Sequence, residues 1–288
     1  MAAKPIVVGT DGSAEALAAV GWAAREAVLR GVPLRIVAAG ETLPRMTAHA
    51  AAGQYQTVSD VLLSQRDQAL AAAAERAAKA DPGLLIDTDP LSGAPADAVT
   101  EAGSGALMLV LGSRGRGAFA ALLLGSVSRY AASHASCPVV VVRDEAPAPF
   151  GRVAVGVGDP DHCGGALAFA FEEADLRGAA LTAVHAWRDP QGDISRAGPE
   201  TAAIAPEIIE ADAASQLDAL LHDCRTSHPD VRLAQEVVHG HPARALVGLS
   251  ARSDLVVIGR HAAQRSGPGA VRHAVLNHAH GPVAVVPS

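Results

Sequence analysis

The first half of the chain alternates between short apolar runs and longer stretches in which apolar and polar residues are mixed. The apolar runs predict strands, because they are short and are bounded by turn-forming residues. Five strands are predicted, over Pro5–Thr10, Leu34–Ala39, Leu84–Asp89, Ala106–Gly112 and Pro138–Val142. The stretches between them predict helices over Ala14–Arg30, Thr57–Ala80, Pro95–Ala102 and Leu123–Ser136. Apolar strands separated by helices are typical of a parallel sheet covered on both faces.

The second half of the chain repeats the first at an offset of 147 residues, which places Glu26 on Glu173. After Gly112 and its counterpart Gly259 the offset falls to 144, so the second copy has lost three residues there. The repeat predicts a second set of five strands, over Arg152–Val157, Leu181–Trp187, Val231–Val237, Asp254–Gly259 and Pro282–Val286. A repeat of this length is a duplicated domain rather than a solenoid unit.

A charged, proline-rich segment separates the two copies. This segment, Arg143–Gly151, has the composition of a linker. We therefore predict two domains, residues 1–145 and residues 151–288.

The composition narrows the possible partners. Hydrophobic residues make up 49% of the 288 residues, which is enough for a real core, and aromatic residues only 3%, so Ala, Val, Leu and Ile must build that core. The formal net charge of −7 argues against a basic nucleic-acid-binding surface and against a polybasic membrane surface.

The cysteines and the N-terminus favour a reducing compartment. Cys137, Cys163 and Cys224 lie far apart, so neither a disulfide framework nor a cysteine zinc site is expected. The sequence shows no signal-peptide pattern and no apolar run long enough to span a bilayer. We expect a cytoplasmic protein.

Candidate site residues follow three predicted strands of the first copy. Asp11 follows the first strand, and Ala39, with small neighbours, follows the second. The fourth strand runs into a glycine-rich loop, and a second glycine-serine segment begins the next helix. Because ligands of open parallel sheets bind beyond the carboxyl ends of the strands, these residues are expected to meet at one site.

The chemistry of these segments favours an anion. Glycines allow backbone N–H groups to approach oxygen atoms, and a helix N-terminus offers unpaired donors. Ser126 and Ser128 add hydroxyl groups, and Arg114 and Arg116 could neutralise a polyphosphate. The alternative is that the loop is an ordinary flexible connection and Ser126 a simple helix cap, since short glycine motifs are weak signals.

The first copy resembles the ATP-binding universal stress proteins, and the likeness extends through both copies. It rests on the segment Val8-Gly9-Thr10-Asp11-Gly12-Ser13 and on the spacing G-x2-G-x9-G-[ST], filled by Gly112, Gly115, Gly125 and Ser126. The resemblance implies two tandem Rossmann-like, adenine-nucleotide-hydrolase-like α/β domains. Each would have a five-stranded parallel sheet of order 3-2-1-4-5, with helices on both faces.

The same resemblance implies a ligand and its contacts. ATP would bind with Asp11 near the ribose, the phosphates or a Mg²⁺ ion, and with Ala39 at the adenine. Gly112, Gly115 and Gly125 would wrap the phosphates, and Ser126, Val127 and Ser128 would donate to them. The other implied ATP-binding residues are Gly9, Ser113, Arg114, Arg116 and Gly117. The family also implies that fifth strands pair across a two-fold, here Val139–Val142 with Val283–Val286 inside one chain. A homodimer is implied as well.

The second copy departs from this pattern. Asp11 corresponds to Gly158, Gly115 to Ala262, Ser126 to Ala270 and Ser128 to Arg272. A side chain where the backbone must touch phosphate, and the loss of two hydroxyls, should weaken nucleotide binding. We expect a competent site in the first copy and a degenerate site in the second.

Three functions remain open from the sequence. The first is a nucleotide-dependent regulator of a stress response. The second is a slow ATPase, in which Asp11→Ala would abolish hydrolysis but not binding. The third is an interaction module without nucleotide. The sequence contains neither a Walker G-x4-G-K-[ST] loop nor a G-x-S-x-G elbow, which argues against fast NTPase and hydrolase chemistry.

Overall fold

The computed structural model describes residues 3–40, 52–115, 124–144, 149–158, 160–187, 206–260 and 269–287. The chain divides into two compact units, Met1–Pro147 (unit 1) and Ala148–Ser288 (unit 2).

Unit 1 alternates strands and helices as the apolar pattern predicts. Its elements are β1 (Ile6–Gly9), α1 (Ala14–Arg30), β2 (Leu34–Gly40), α2 (Ala52–Ala78), β3 (Ile86–Ser92), α3 (Pro95–Ala102), β4 (Met108–Gly112), α4 (Ser126–His134) and β5 (Val139–Val142). The strands are parallel in the order β3-β2-β1-β4-β5, which confirms the predicted topology. Helices α1 and α2 pack together, as do α3 and α4.

Unit 2 repeats the same arrangement. Its elements are β6 (Arg152–Val157), α5 (Pro160–Arg177), β7 (Ala180–Trp187), α6 (Pro206–Ser227), β8 (Leu233–His239), α7 (Pro242–Ser250), β9 (Leu255–Gly259), α8 (Ala270–His278) and β10 (Val283–Val286). The strand order β8-β7-β6-β9-β10 matches that of unit 1, again with parallel neighbours.

The apolar core of each unit lies along its most buried strands. Strands β1, β4, β5, β9 and β10 are buried along their whole length, as their unbroken apolar sequences require. The outer strands β3 and β8 are mostly exposed or half-buried. None of the described helices combines the length and the apolar character that crossing a membrane would need.

Several predicted boundaries were wrong in detail. Strand β8 spans Leu233–His239 rather than Val231–Val237. Strand β3 begins two residues later than predicted and continues through Pro90, which an edge strand tolerates because one side of its backbone faces no partner. Helix α2 begins at Ala52 rather than Thr57. Helix α4 begins at Ser126 rather than Leu123, because Gly125 takes an extended backbone and serves as its N-cap. Residues Ala38–Gly40 belong to β2 itself.

The first helix of each unit carries a buried ion pair one turn apart. In α1, Arg30 Nε lies 2.6 Å from Glu26 Oε1, and the two side chains are 7% and 2% exposed. In α5 the corresponding pair joins Arg177 to Glu173. Both helices then end on a left-handed glycine, Gly31 and Gly178.

Candidate functional site

A cavity of about 340 Å³ opens at the carboxyl ends of β1 and β4. The start of α3, the end of β2 and the N-terminus of α4 complete its walls. Its lining includes most of the residues that the sequence singled out: Gly9, Asp11, Ala39, Gly112, Arg114, Gly115, Gly125, Ser126, Val127 and Ser128. Of the other predicted site residues, Arg116 and Gly117 lie outside the described residues.

Asp11 is held by the turn that joins β1 to α1. Its Oδ1 accepts hydrogen bonds from Ser13 N at 3.0 Å and from Ser13 Oγ at 2.6 Å. The same Ser13 Oγ accepts from Ala16 N at 3.3 Å and so caps α1. The capping network therefore fixes the carboxylate at the edge of the cavity.

Two glycines of the motif sit where a side chain would collide. A Cβ on Gly112 would lie 2.8 Å from Glu15 C and 2.9 Å from Ala16 N, which are backbone atoms of α1. A Cβ on Gly115 would meet Oδ2 of Asp11, the end of a side chain rather than backbone. The loop after β4 therefore passes beside the carboxylate, and close packing against the backbone of α1 explains Gly112.

The N-terminus of α4 points backbone donors at the cavity. Gly125 N donates to Ser113 O at 2.7 Å, which ties the helix start to the end of β4. The N–H groups of Ser126, Val127 and Ser128 begin the helix and have no acceptor among its own carbonyls. These donors and the positive end of the helix dipole form a place suited to an anion.

Two of the predicted phosphate ligands have a different contact in this structure. The Ser128 hydroxyl, buried, donates to Gly112 O at 2.6 Å, so only its backbone N–H is turned to the helix end. Ser113 is 1% exposed and donates its own N–H to Val142 O at 2.7 Å, and it is not among the lining residues. Both residues shape the loop. Ser126, in contrast, is exposed at the cavity with its hydroxyl.

Positive charge gathers beside the glycine loop. Arg114 Nη2 lies 2.9 Å from Glu15 Oε1, with its side chain 44% exposed. Burial lowers the pKa of Arg143, and the charge of Arg114 lowers that pKa further. Arg114 thus brings a positive charge to the cavity wall, where it is paired with Glu15.

A second cavity of about 350 Å³ adjoins the first on the side of α2. The two share Thr10, Asp11, Ala39 and Pro95. Its further lining comes from β2 and α2: Ala38, Gly40, Leu62, Gln65, Arg66 and Ala69.

Several lining residues carry no signal in the sequence. Gln65 and Arg66 lie in a long polar helix in which any exposed residue looks alike. Arg129 falls just after the glycine-serine motif and was not singled out. Pro95 was recognised as a helix start, but its place beside Ala39 follows from the fold alone.

The first cavity offers a magnesium ion one carboxylate, that of Asp11. Among the described residues, no three His, Cys, Asp or Glu side chains come together to hold a metal ion. Magnesium in nucleotide sites is bound by one or two carboxylates, with phosphates and water filling the remaining positions. Asp11 alone fits a metal that arrives with a phosphorylated ligand.

The corresponding region of unit 2 has a different local geometry. Gly269, the N-cap of α8, has a left-handed backbone with φ of 80°, whereas Gly125 is extended. Arg272 replaces Ser128, and its Nη1 donates to Arg260 O at 3.0 Å. Burial and the charge of Arg260 lower the pKa of Arg272. Ala262 lies outside the described residues.

Comparison with known proteins gives a consistent result. The sequence model of the universal stress protein family matches residues 2–143 and again residues 149–287. Universal stress protein Rv2005c of Mycobacterium tuberculosis is 37% identical over 293 residues, covering 97% of this chain and 96% of the relative. Universal stress protein Rv1996 of the same organism is 34% identical over 302 residues, covering 97% of this chain and 94% of the relative.

A solved structure shows the same fold. The crystal structure of a universal stress protein from Archaeoglobus fulgidus superposes with a TM-score of 0.66 at 16% identity, covering 98% of both chains. A universal stress protein crystallised in complex with cAMP is 32% identical, covers 49% of this chain and 98% of its own, and has a TM-score of 0.38.

Proposed function

This chain belongs to the universal stress protein family, and we propose that its unit 1 binds ATP and acts as a nucleotide-dependent regulator in the response to stress. The proposal places ATP in the two adjoining cavities at the carboxyl ends of β1, β2 and β4. In this proposal the protein acts through the difference between its surface with ATP bound and its surface without ATP, rather than by hydrolysing ATP.

One observation carries the proposal. The N-terminus of α4 directs the N–H groups of Ser126, Val127 and Ser128 into a cavity that is also bordered by the glycine loop and Arg114. Backbone donors at a helix start, with an arginine alongside, are the elements that proteins use to bind phosphate groups.

The rest of the cavity suits the remainder of a nucleotide. Ala39 and Pro95 are small or flat residues shared by both cavities, and they leave room for a planar base. Asp11 carries a carboxylate within reach of a ribose hydroxyl or of a magnesium ion brought by the phosphates. In this arrangement Asp11 binds and orients the ligand.

The link to regulation is the short connection between the loop and the sheet. Gly125 N, Ser113 O, the Ser128 hydroxyl and Gly112 O join the start of α4 to the end of β4. An anion held by the helix N-terminus would therefore act on the end of β4 through these two contacts. We propose that the surface formed by the start of α4 and by Gly112–Gly115 changes with occupancy.

The test is an equilibrium titration of the full chain with ATP and Mg²⁺. Ser126→Ala removes a hydroxyl at the proposed phosphate site and should weaken binding several-fold, and Asp11→Ala should weaken it by about tenfold or more. Ser133→Ala is the matched control, because its hydroxyl is exposed at the far end of α4 and donates to Arg129 O. Equal affinities for all four proteins, or no binding to the unmodified chain, would overturn the proposal.

A further inference from the structure

Strands β2 and β7 occupy the same place in their units but end on very different residues. The last residue of β2 is Gly40, which pairs with Ser92 of β3. The last residue of β7 is Trp187, which pairs with His239 of β8. The offset of 147 residues relates both members of each pair, so a glycine and a tryptophan stand at one structural position.

In unit 1 the space beside this position is open. Gly40 lines the second cavity, about 350 Å³ in volume. A Cβ on Gly40 would point toward α2 and lie 3.5 Å from Arg66 Cδ. The absence of a side chain on Gly40 therefore leaves the cavity its width between β2 and α2.

In unit 2 a large side chain occupies the strand end. Trp187 is only 8% exposed, and its ring centroid lies 4.5 Å from that of His239. The residue of α6 that corresponds to Arg66 is Ala213, which is 3% exposed. The glycine and the large helix residue of unit 1 thus correspond to a tryptophan and a small helix residue in unit 2.

We propose that the indole of Trp187 fills the unit 2 counterpart of the second cavity and closes that unit to the nucleoside part of a nucleotide. Among the described residues the buried Nε1 of the indole has no hydrogen-bond partner, so packing is what holds the ring there. The consequence for ATP, one molecule per chain in unit 1, rests on the proposed function. The proposal that Trp187 fills the cavity does not rest on that function, because it concerns unit 2 alone.

Removing the indole tests the filling directly. In Trp187→Gly the vacated space should bind free indole, as cavities made by truncating buried side chains bind small apolar molecules. Calorimetry should give one indole per chain, bound at least about tenfold more tightly than by Trp187→Phe, which keeps an aromatic ring in place. Trp187→Gly with native circular dichroism and no greater indole affinity than Trp187→Phe would overturn the proposal.

A second measurement uses no cavity-forming substitution. The chain has two tryptophans, and Trp22→Phe leaves Trp187 as the fluorescent one. Phe169 stands at the position of α5 that corresponds to Trp22, so the substitution copies a residue the fold already accepts there. Acrylamide quenching of Trp187 should be low and unchanged at saturating ATP, with one ATP bound per chain.

The outcomes separate the two proposals. Two ATP molecules per chain, with Trp187 becoming more accessible to acrylamide, would overturn the filled cavity. No bound ATP, together with indole binding to Trp187→Gly, would overturn the proposed function and support the filled cavity.

Discussion

The hydroxyl of Ser128 donates a hydrogen bond to the carbonyl oxygen of Gly112 across 2.6 Å, and so fastens the first turn of α4 to the last residue of β4. Gly112 is itself pressed against the backbone of α1. One strand end, two helix starts and the glycine loop are therefore joined around the proposed nucleotide site.

Removing that hydroxyl should loosen both the fold and the site. Ser128→Ala leaves a buried carbonyl without this donor, and we expect a loss of about 1–2 kcal/mol in the free energy of unfolding and a weaker affinity for ATP. Urea denaturation and ATP titration measure the two effects. Ser133→Ala makes the same change in helix propensity at an exposed position of α4 and should do neither. Equal stability of the two variants would show that the Ser128 contact contributes nothing.

The two strand-end glycines should respond differently to the same substitution. In Gly112→Ala the new Cβ would press on backbone atoms of Glu15 and Ala16 at 2.8 to 2.9 Å, so we expect a destabilisation of about 1–3 kcal/mol. Gly259→Ala, the matched change in unit 2, would place its Cβ 3.4 Å from His162 O and should be tolerated far better. The midpoints of urea unfolding compare the two, and a larger loss for Gly259→Ala would contradict the packing argument.

The fold was predictable because the apolar runs and the residues that mark helix ends indicate the same architecture as the alternation of strands and helices. The unbroken apolar sequences of β4 and β5 are compatible with a strand only when both faces of the sheet are covered. Gly31 marks the end of α1, and Pro95 marks the start of α3, without information from the rest of the fold. Edge strand β3 was placed less well, because its polar residues and Pro90 carry no burial signal. Its position is set by pairing with β2.

The site was predictable where backbone geometry dictates the residue type. Gly112 is required by its close approach to the backbone of α1, and the spacing of the glycine motif shows it in the sequence. The role of Ser128 was not predictable, because a serine at a helix start can donate to a ligand or to a neighbouring backbone carbonyl, and the sequence does not distinguish the two. The surroundings of Arg66 and Trp187 were not predictable, because they depend on how α2 and α6 pack against the ends of the strands.

The buried ion pair of α1 should matter more than an exposed one. Glu26→Gln breaks a pair in which the Arg30 and Glu26 side chains are 7% and 2% exposed, and we expect a loss of up to about 3–5 kcal/mol, because the buried guanidinium loses the charge of this carboxylate. Asp218→Asn breaks the Asp218–Arg225 pair of α6, whose side chains are 62% and 53% exposed, and should cost at most about 1 kcal/mol. Thermal or urea unfolding compares them; similar losses would argue against burial as the cause.

Tyr130 should titrate late. A hydrogen bond to Asp97, and the negative charge of that carboxylate, raise the pKa of Tyr130 above its ordinary value. Because the folded-state pKa is raised, this contact adds stability below the unfolded pKa of a tyrosine, and the contribution is lost as pH rises through the folded value. Phenolate absorbance measured against pH should show a tyrosine transition that moves to lower pH in Asp97→Asn. A transition unmoved by Asp97→Asn would refute the assignment.

The most direct test is to identify and quantify the nucleotide that the purified protein carries. The chain is purified without added nucleotide and denatured, and the released adenine nucleotides are separated by chromatography and quantified against protein. We predict one ATP per chain, released from unit 1, and its loss in Asp11→Ala. Protein that releases no nucleotide, and that takes up no ATP when it is added, would contradict the account.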